Sequence, residues 1–320
     1  MTRQRYENSK PKPALIRYSQ YLMDGSLVQR IRVRWKSRRR EQRRAWWLAE
    51  SKKGRVYKDI RLQPGIRIRL FWNSEISWLL YVKDFEASER IFHKAFLRPG
   101  DLYLDVGANI GLFTLIASHR VGRKGKVYAF EPIASTFQCL LQNISLNRFN
   151  NINAHQLALS DAIGQAEMTI SLDGFDGRNS LAMPTGGEKF SKETVASTTL
   201  DYFVADNQLA GKITMIKIDV EGWENHVLEG AKTTLTAADA PLLHIEFTEE
   251  ALRTANSSSN ELFQVVKRLG YELFLFHAEE SRLIPVSAED LRDRSVNVIA
   301  TKHPDMVAAR LIEKRSQRFI

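Results

Sequence analysis

With 320 residues, 43% of them hydrophobic and 26% charged, the chain is long enough for one large α/β domain plus an appendage and has an ordinary globular composition. A single cysteine excludes an internal disulfide framework, no apolar run approaches the roughly 20 residues that span a bilayer, and the first residues lack a secretory core, so a cytoplasmic setting is expected. The net charge of +10 is concentrated: residues 1–55 hold 17 Lys and Arg against 4 Asp and Glu, a local +13, so the remainder carries −3 and its substrate cannot be read from overall basicity.

Residues 1–54 read as a basic, aromatic-containing N-terminal extension. Residues 1–25, with ProLysPro at 11–13, have little periodicity and are expected to be mobile. A helix is predicted over Ser26–Glu50, where Leu27, Ile31 and Trp35 recur every four residues. Arg38, Arg39, Arg40, Arg43 and Arg44 interrupt that stripe before Trp46, Trp47 and Leu48. Such a segment suits an anionic membrane surface through residues 26–50, the protein then being peripheral to the membrane. The simpler reading is a solvated helix whose apolar residues pack back onto the domain.

Residues 55–100 begin with two alternating segments, Arg55–Leu62 and Ile66–Trp72, joined by GlnProGly, the pattern of a β-hairpin. One helix, Trp78–Phe96, follows and closes at ArgProGly. From 101 to 302 strands (near 102–106, 125–130, 152–158, 213–218, 241–247, 271–276 and 295–301) alternate with helices (near 111–119, 133–146, 222–236 and 258–269). Alternation of this kind predicts a seven-stranded, mostly parallel sheet with helices on both faces, the last strand returning antiparallel. Residues 171–197 read as a long polar loop, and 279–296 lack helical periodicity. Residues 303–320 form a C-terminal helix or tail.

The first strand of this core ends at Asp105 and turns through Gly107 and Gly111 into a helix. Twenty residues after Gly111, Glu131 ends the second strand, where an acid takes a ribose diol. A dinucleotide fingerprint asks for three glycines around a pyrophosphate. Here Ala108-Asn109 stands in place of the middle glycine, and Asp105 would repel a phosphate. S-adenosylmethionine, which has a ribose, an ammonium and a carboxylate but no phosphate, fits better.

AspValGlyAlaAsnIleGlyxxThr at 105–114, AlaPheGluPro at 129–132, AlaLeuSerAsp at 158–161 and IleLysIleAspValGluGlyTrpGlu at 216–224 occur in that order. Together they resemble the FkbM-type branch of class I S-adenosylmethionine-dependent methyltransferases, over roughly residues 80–302. The resemblance implies the Rossmann-like class I fold and O-methylation of a hydroxyl on a carbohydrate, glycolipid or natural product, leaving S-adenosylhomocysteine. Where the family commonly has Gly-x-x-Glu before the first strand, this chain has AspPheGlu at 84–86, which keeps Glu86 in place.

The expected cofactor residues are Glu86, Asp105, Gly107, Asn109, Gly111, Glu131, Pro132, Leu159 and Asp161. Asp105 would face the ammonium, Glu131 the ribose hydroxyls and Gly111 the helix end that meets the carboxylate. Leu159 and Asp161 would bracket the adenine, although Asp161 reads equally as a turn residue. The expected catalytic residues are Asp219, Glu221, His244 and Glu246, at the ends of two adjacent strands. Lys217 beside the carboxylates would depress their pKa values. His244 would be the better-matched base, against the common alternative of a packed core histidine, and Glu221 alternatively caps the helix starting at Gly222. The same groups can bind a divalent metal, but no spacing demands one and none is assigned. Cys139 reads as a core residue. The expected partner is a small-molecule or glycan acceptor. Nucleic acid is not expected, and oligomeric state is not addressed by the sequence. The alternatives are an RNA methyltransferase guided by the basic tail and a non-catalytic cofactor-binding module.

Overall fold

A computed structural model describes the chain at residues 27–54, 56–83, 85–171 and 190–316. The expectation of mobility for 1–25 and the middle of the polar stretch 171–197 lie outside those residues. In chain order the strands are β1 (Tyr57–Gln63), β2 (Ile66–Phe71), β3 (Leu102–Val106), β4 (Lys126–Phe130), β5 (Ile152–His155), β6 (Ala158–Leu159) and β7 (Gly164–Ser171). They continue with β8 (Phe190–Thr198), β9 (Met215–Ile218), β10 (Leu242–Thr248), β11 (Glu272–His277), β12 (Arg282–Pro285) and β13 (Ser295–Thr301).

The main sheet has the order β12-β11-β13-β10-β9-β3-β4-β5. β3 is central and parallel to both β4 and β9, and β13 runs antiparallel between β10 and β11. Strands buried on both faces must be almost wholly apolar, and Tyr103, Leu104, Val106, Met215, Ile216 and Ile218 are fully buried. The antiparallel last strand agrees with expectation, but the sheet has eight strands rather than seven. The added strand, β12, pairs with β11 across a tight return inside the stretch read as irregular.

Three further expectations are corrected. The strand predicted at 152–158 is two short strands, and β6 leaves the main sheet for a three-stranded sheet of order β6-β8-β7. The stretch 171–197 is therefore not all loop, since β8 begins at Phe190 and pairs along all of β7. The single helix expected at Trp78–Phe96 is two, Glu75–Lys83 and Ala87–Phe96, because Glu86 adopts φ 48 and ψ 45, a left-handed conformation that no helix continues through. Likewise the helix expected at 222–236 breaks into Glu224–Glu229 and Lys232–Thr236 around Gly230, where any Cβ would lie 2.0 Å from the Ser160 carbonyl oxygen.

The hairpin β1–β2 is fastened to the core by side-chain amides. From the end of helix Ala134–Ser145, Asn143 accepts from Arg69 N and donates to the carbonyls of Arg69 and Ile110, while Asn147 accepts from Arg67 N and donates to Arg67 O. Two amides thus pair a strand edge that would otherwise be unsatisfied. The helix Leu27–Glu50 leads into this hairpin. Trp47 is buried to 2% exposure, its ring 4.4 Å from that of Trp72, and Trp46 packs on Tyr81 with Lys58 over its face. These aromatics are consumed by packing, as in the simpler reading of the extension. Arg38, Arg39, Arg40 and Arg44 remain exposed. Among the described residues no helix is long and apolar enough to cross a membrane.

Candidate active site

The strand order reverses between β3 and β9: β4 and β5 extend the sheet on one side, β10 and beyond on the other. In an open parallel sheet ligands enter the crevice at the carboxyl ends of the strands at such a reversal. A cleft of about 670 Å³, including its open mouth, occupies that position. It is walled by the turn after β3, the end of β4, β6 and the turn after β9.

The turn after β3 approaches β9 so closely that a side chain at Gly107 is excluded. Gly107 has φ 79, and a Cβ there would stand 1.8 Å from Asp219 O. Asn109 also takes a positive φ, 48°, which Asn tolerates better than most residues. Its side-chain oxygen accepts from Ile110 N at 2.7 Å, and its own N–H donates to Glu131 Oε2 at 3.0 Å. Glu131 Oε1 accepts from Ile133 N at 3.1 Å. Both carboxylate oxygens of Glu131 are thereby fixed in orientation on the cleft wall. Pro132 and Leu159 also line the cleft, whereas Gly111 sits behind it as the left-handed N-cap of helix Leu112–Val121.

Asp105 does not line the cleft. It is 1% exposed inside β3, accepts from the Thr114 hydroxyl, and its Oδ1 has no hydrogen-bond partner among the described residues. Burial raises its pKa, and Lys217 opposes that rise. Lys217, 3% exposed, is the cation that ties this layer together. Its Nζ donates to Asp219 Oδ2 at 2.7 Å, and the fields of Asp219, Asp105 and Glu86 overcome burial and raise its pKa. Glu86 keeps partial surface exposure, but its carboxyl is deep enough that burial pushes its pKa up to about 8.

Asp219 and Glu221 line the cleft, and Glu246 on β10 joins them: one carboxylate oxygen from each lies within 4.8 Å of the others. Glu221 stands past the end of β9 at φ 52. The expected depression of these carboxylates by Lys217 is overturned for Glu221. Burial, then Asp219, Glu224 and Glu75, raise its pKa well above the ordinary value, and Lys217 is the smallest influence. Glu246 is raised likewise by burial, Asp219, Glu221 and Glu224. Nor does Glu221 cap the next helix. The helix starts at Glu224 with Trp223 at its N-cap and no side-chain cap, and Glu224 Oε1 instead secures the preceding turn, accepting from Val220 N at 3.1 Å and Gly222 N at 3.3 Å. Glu224 was not among the expected site residues, although it closes the quoted run IleAspValGluGlyTrpGlu. Its 1% exposure depends on the turn, which a linear reading does not supply.

His244 is not brought to the cleft. It is 2% exposed among Phe92, His93 and Phe113, with its ring 5.0 Å from that of His93, and burial holds its pKa well below the ordinary value. That surrounding is of a neutral core histidine rather than an exchanging base. Asp161 is exposed at the rim, accepting from Ser160, whose hydroxyl in turn accepts from Trp223 Nε1. Trp223, also absent from the expected set, forms the cleft wall and stacks on His226 at 3.5 Å.

Among the described residues, those lining the cleft include three acids and no Lys or Arg. An acidic, partly apolar crevice with a pre-oriented carboxylate fits a ligand that carries a ribose and positive charge but no phosphate. A family model described as the methyltransferase FkbM domain matches residues 105–273. The chain is similar to the 31-O-demethyl-FK506 methyltransferase FkbM of Streptomyces tacrolimicus, 30% identical over 206 residues, 55% of this chain and 76% of that one. Methyltransferase 1 of Beauveria bassiana is 28% identical over 148 residues, 41% of this chain and 59% of its own. The hexuronic acid methyltransferase AglP of Haloferax volcanii is 29% identical over 145 residues, 45% and 56% of the two chains. The chain thus spans three quarters of the first relative and less than two thirds of the other two.

Proposed function

The chain belongs to the FkbM methyltransferase family and is an S-adenosylmethionine-dependent methyltransferase, and from that premise we propose that it methylates a hydroxyl of a carbohydrate, glycolipid or natural product. The observation that carries this reading is the placement of acids around one crevice: Glu131 at the end of β4, Asp219 and Glu221 after β9 lining it, and Glu246 adjoining the latter two.

Glu131, immobilised by Asn109 N and Ile133 N, accepts from the ribose hydroxyls of the cofactor. The turn at Gly107–Gly111 would receive the methionine end, and Leu159 and Ile133, which line the cleft, would pack against the adenine. Asp105, held by the Thr114 hydroxyl and within the field of Lys217, positions this turn from beneath. When bound, the cofactor supplies an electrophilic methyl on a sulfonium. The chain's part is to hold an acceptor hydroxyl beside that position and to help its proton leave, since a neutral alcohol is a weak nucleophile. Glu221 and Glu246 are the groups placed for this. The 31-O-demethyl substrate in the first relative's description supports an oxygen acceptor, and the hexuronic acid in AglP's supports a carbohydrate one.

The test is transfer of a tritiated methyl group from labelled S-adenosylmethionine to a panel of sugars, uronic acids and polyol natural products. We expect incorporation into at least one member as a methyl ether, which survives alkaline hydrolysis. Label that is released by mild base, and so was an ester, or label found only on amines, contradicts the assignment.

A further inference from the structure

We propose that the basic surface formed by helix Leu27–Glu50 and the start of β1 docks the protein on an anionic lipid bilayer. The helix carries nine Lys and Arg against two Glu in its sequence, and no acid stands in its first turn. Its last turns are built into the domain: Trp47 and Glu50 are buried, and Arg43 Nη1 donates to Tyr81 O at 3.2 Å. Before Arg43 the helix leaves the domain, and Arg38, Arg39, Arg40, Glu41 and Gln42 are all exposed. Five consecutive exposed residues cover more than a full turn, so this stretch buries no apolar face of its own and meets its surroundings through charge. Arg44 is exposed beside it.

Apolar side chains lie next to this charge. Trp72, whose ring meets Trp47, donates its N–H to Val56 O at 3.3 Å, which sets Val56 by the root of the helix. Val56 is 68% exposed and Tyr57 43%, and Lys52 and Lys53 just before them are exposed as well. Cations interleaved with a few open apolar side chains suit the headgroup layer of an anionic membrane. The tryptophan packing and the docking use different parts of the helix, its root and its projecting turns.

Lipid is favoured over nucleic acid, the other common polyanion, on two grounds. Single-stranded nucleic acid is held by stacking bases on open aromatic faces, whereas the rings of Trp46 and Trp47 are engaged by Trp72, Tyr81 and Lys58. A polynucleotide substrate would also bring phosphates to a cleft whose described lining holds Glu131, Asp219 and Glu221 and no Lys or Arg. A bilayer needs only the outer surface. Ile76, which lines the cleft, stands five residues before Tyr81 on helix Glu75–Lys83, about 8 Å along its axis. Docking through the basic helix therefore holds the cleft near the lipid headgroups, whichever hydroxyl accepts the methyl group.

The experiment is sedimentation of the full chain with vesicles of phosphatidylcholine, alone or with about 30% phosphatidylserine, in about 0.1 M salt. We expect binding to the anionic vesicles only, weakening as salt rises to about 0.5 M. R38Q/R39Q/R40Q/R44Q should weaken it by at least about tenfold, since each basic residue near such a surface is worth about fivefold. R123Q/K124Q/K267Q/R268Q removes the same charge from exposed positions before β4 and β11, at the end of the sheet away from the cleft, and should bind within about threefold of the parent. Both variants should keep the parent's melting temperature and its affinity for S-adenosylhomocysteine, which separates loss of the surface from loss of fold or cofactor. A folded parent that ignores anionic vesicles, or binds neutral ones equally well, overturns the proposal. Equal losses in the two variants overturn it too. Binding of an RNA oligomer without binding of vesicles gives the surface to nucleic acid and has the same consequence. Vesicle binding without S-adenosylhomocysteine binding leaves the docking surface standing and counts against the cofactor site alone.

Discussion

Gly107 shows how little freedom the site residues have. Its positive φ and its approach to the Asp219 carbonyl leave no space for even one carbon. Gly107→Ala should push the turn off β9, cost more than about 2 kcal/mol of stability and abolish S-adenosylhomocysteine binding. A melting temperature and affinity equal to the parent's would contradict that reading. Glu224 gives a second residue-level expectation. Burial raises its pKa from 4.5 to about 7, so the folded protein binds a proton there that the unfolded chain has already lost. The favourable contribution of that proton is full below pH 4.5 and disappears as the pH rises through about 7. Glu224→Gln keeps an oxygen for the two amides and removes the titration. It should flatten the fall in stability between pH 5 and 8 and gain up to about 3 kcal/mol at the alkaline end, measured by urea unfolding across pH. A pH dependence identical to the parent's would rule out Glu224 as its source. Asp105, Glu131 and Asp219 stood out as special positions because an acid at the end of an apolar run is a costly choice that needs a reason, although Asp105 is buried behind the cleft instead of lining it. The core placement of His244 was not, because a histidine two residues from Glu246 shares its strand face whether that face meets solvent or the packed rings of Phe92 and Phe113.

Among the elements, the hairpin β1–β2 depends on the helix Ala134–Ser145 through Asn143, which is fully buried and also holds Ile110 in the cofactor turn. Asn143→Ala strands the Arg69 amide and two carbonyls and should cost about 2–4 kcal/mol in chemical denaturation. A loss below about 0.5 kcal/mol would mean that water replaces the amide at no penalty. Within the extension, removing residues 1–50 takes Trp47 out of its cluster with Trp72 and Tyr81 and should destabilise by about 3–5 kcal/mol. A melting temperature equal to the parent's would show the tryptophan contact to be incidental. Hairpin, core strands and main helices were readable from alternation and apolar periodicity. The breaks at Glu86 and Gly230 were not: the first rests on a left-handed non-glycine residue, the second on a close approach to Ser160, and neither leaves a mark in apolar spacing.

At the scale of the molecule, the order β5-β4-β3-β9-β10 sets the carboxyl ends of β3 and β9 together, so residues more than a hundred positions apart in the chain form one site. The parallel core and its antiparallel last strand followed from the alternation of strands and helices. The extra strand β12 and the small sheet β6-β8-β7 did not, since β6 has only two residues and β12 four. Both additions border the main sheet without disturbing the reversal at its centre. The account rests on that reversal holding S-adenosylmethionine with Glu131 on its ribose. Calorimetric titration of S-adenosylhomocysteine into the full chain and into Glu131→Ala, with NAD as a control ligand, tests this most directly. The account predicts saturable micromolar binding by the parent, at least about tenfold weaker binding by the variant and none of NAD. No binding by the parent, or equal affinities of parent and variant, would contradict it.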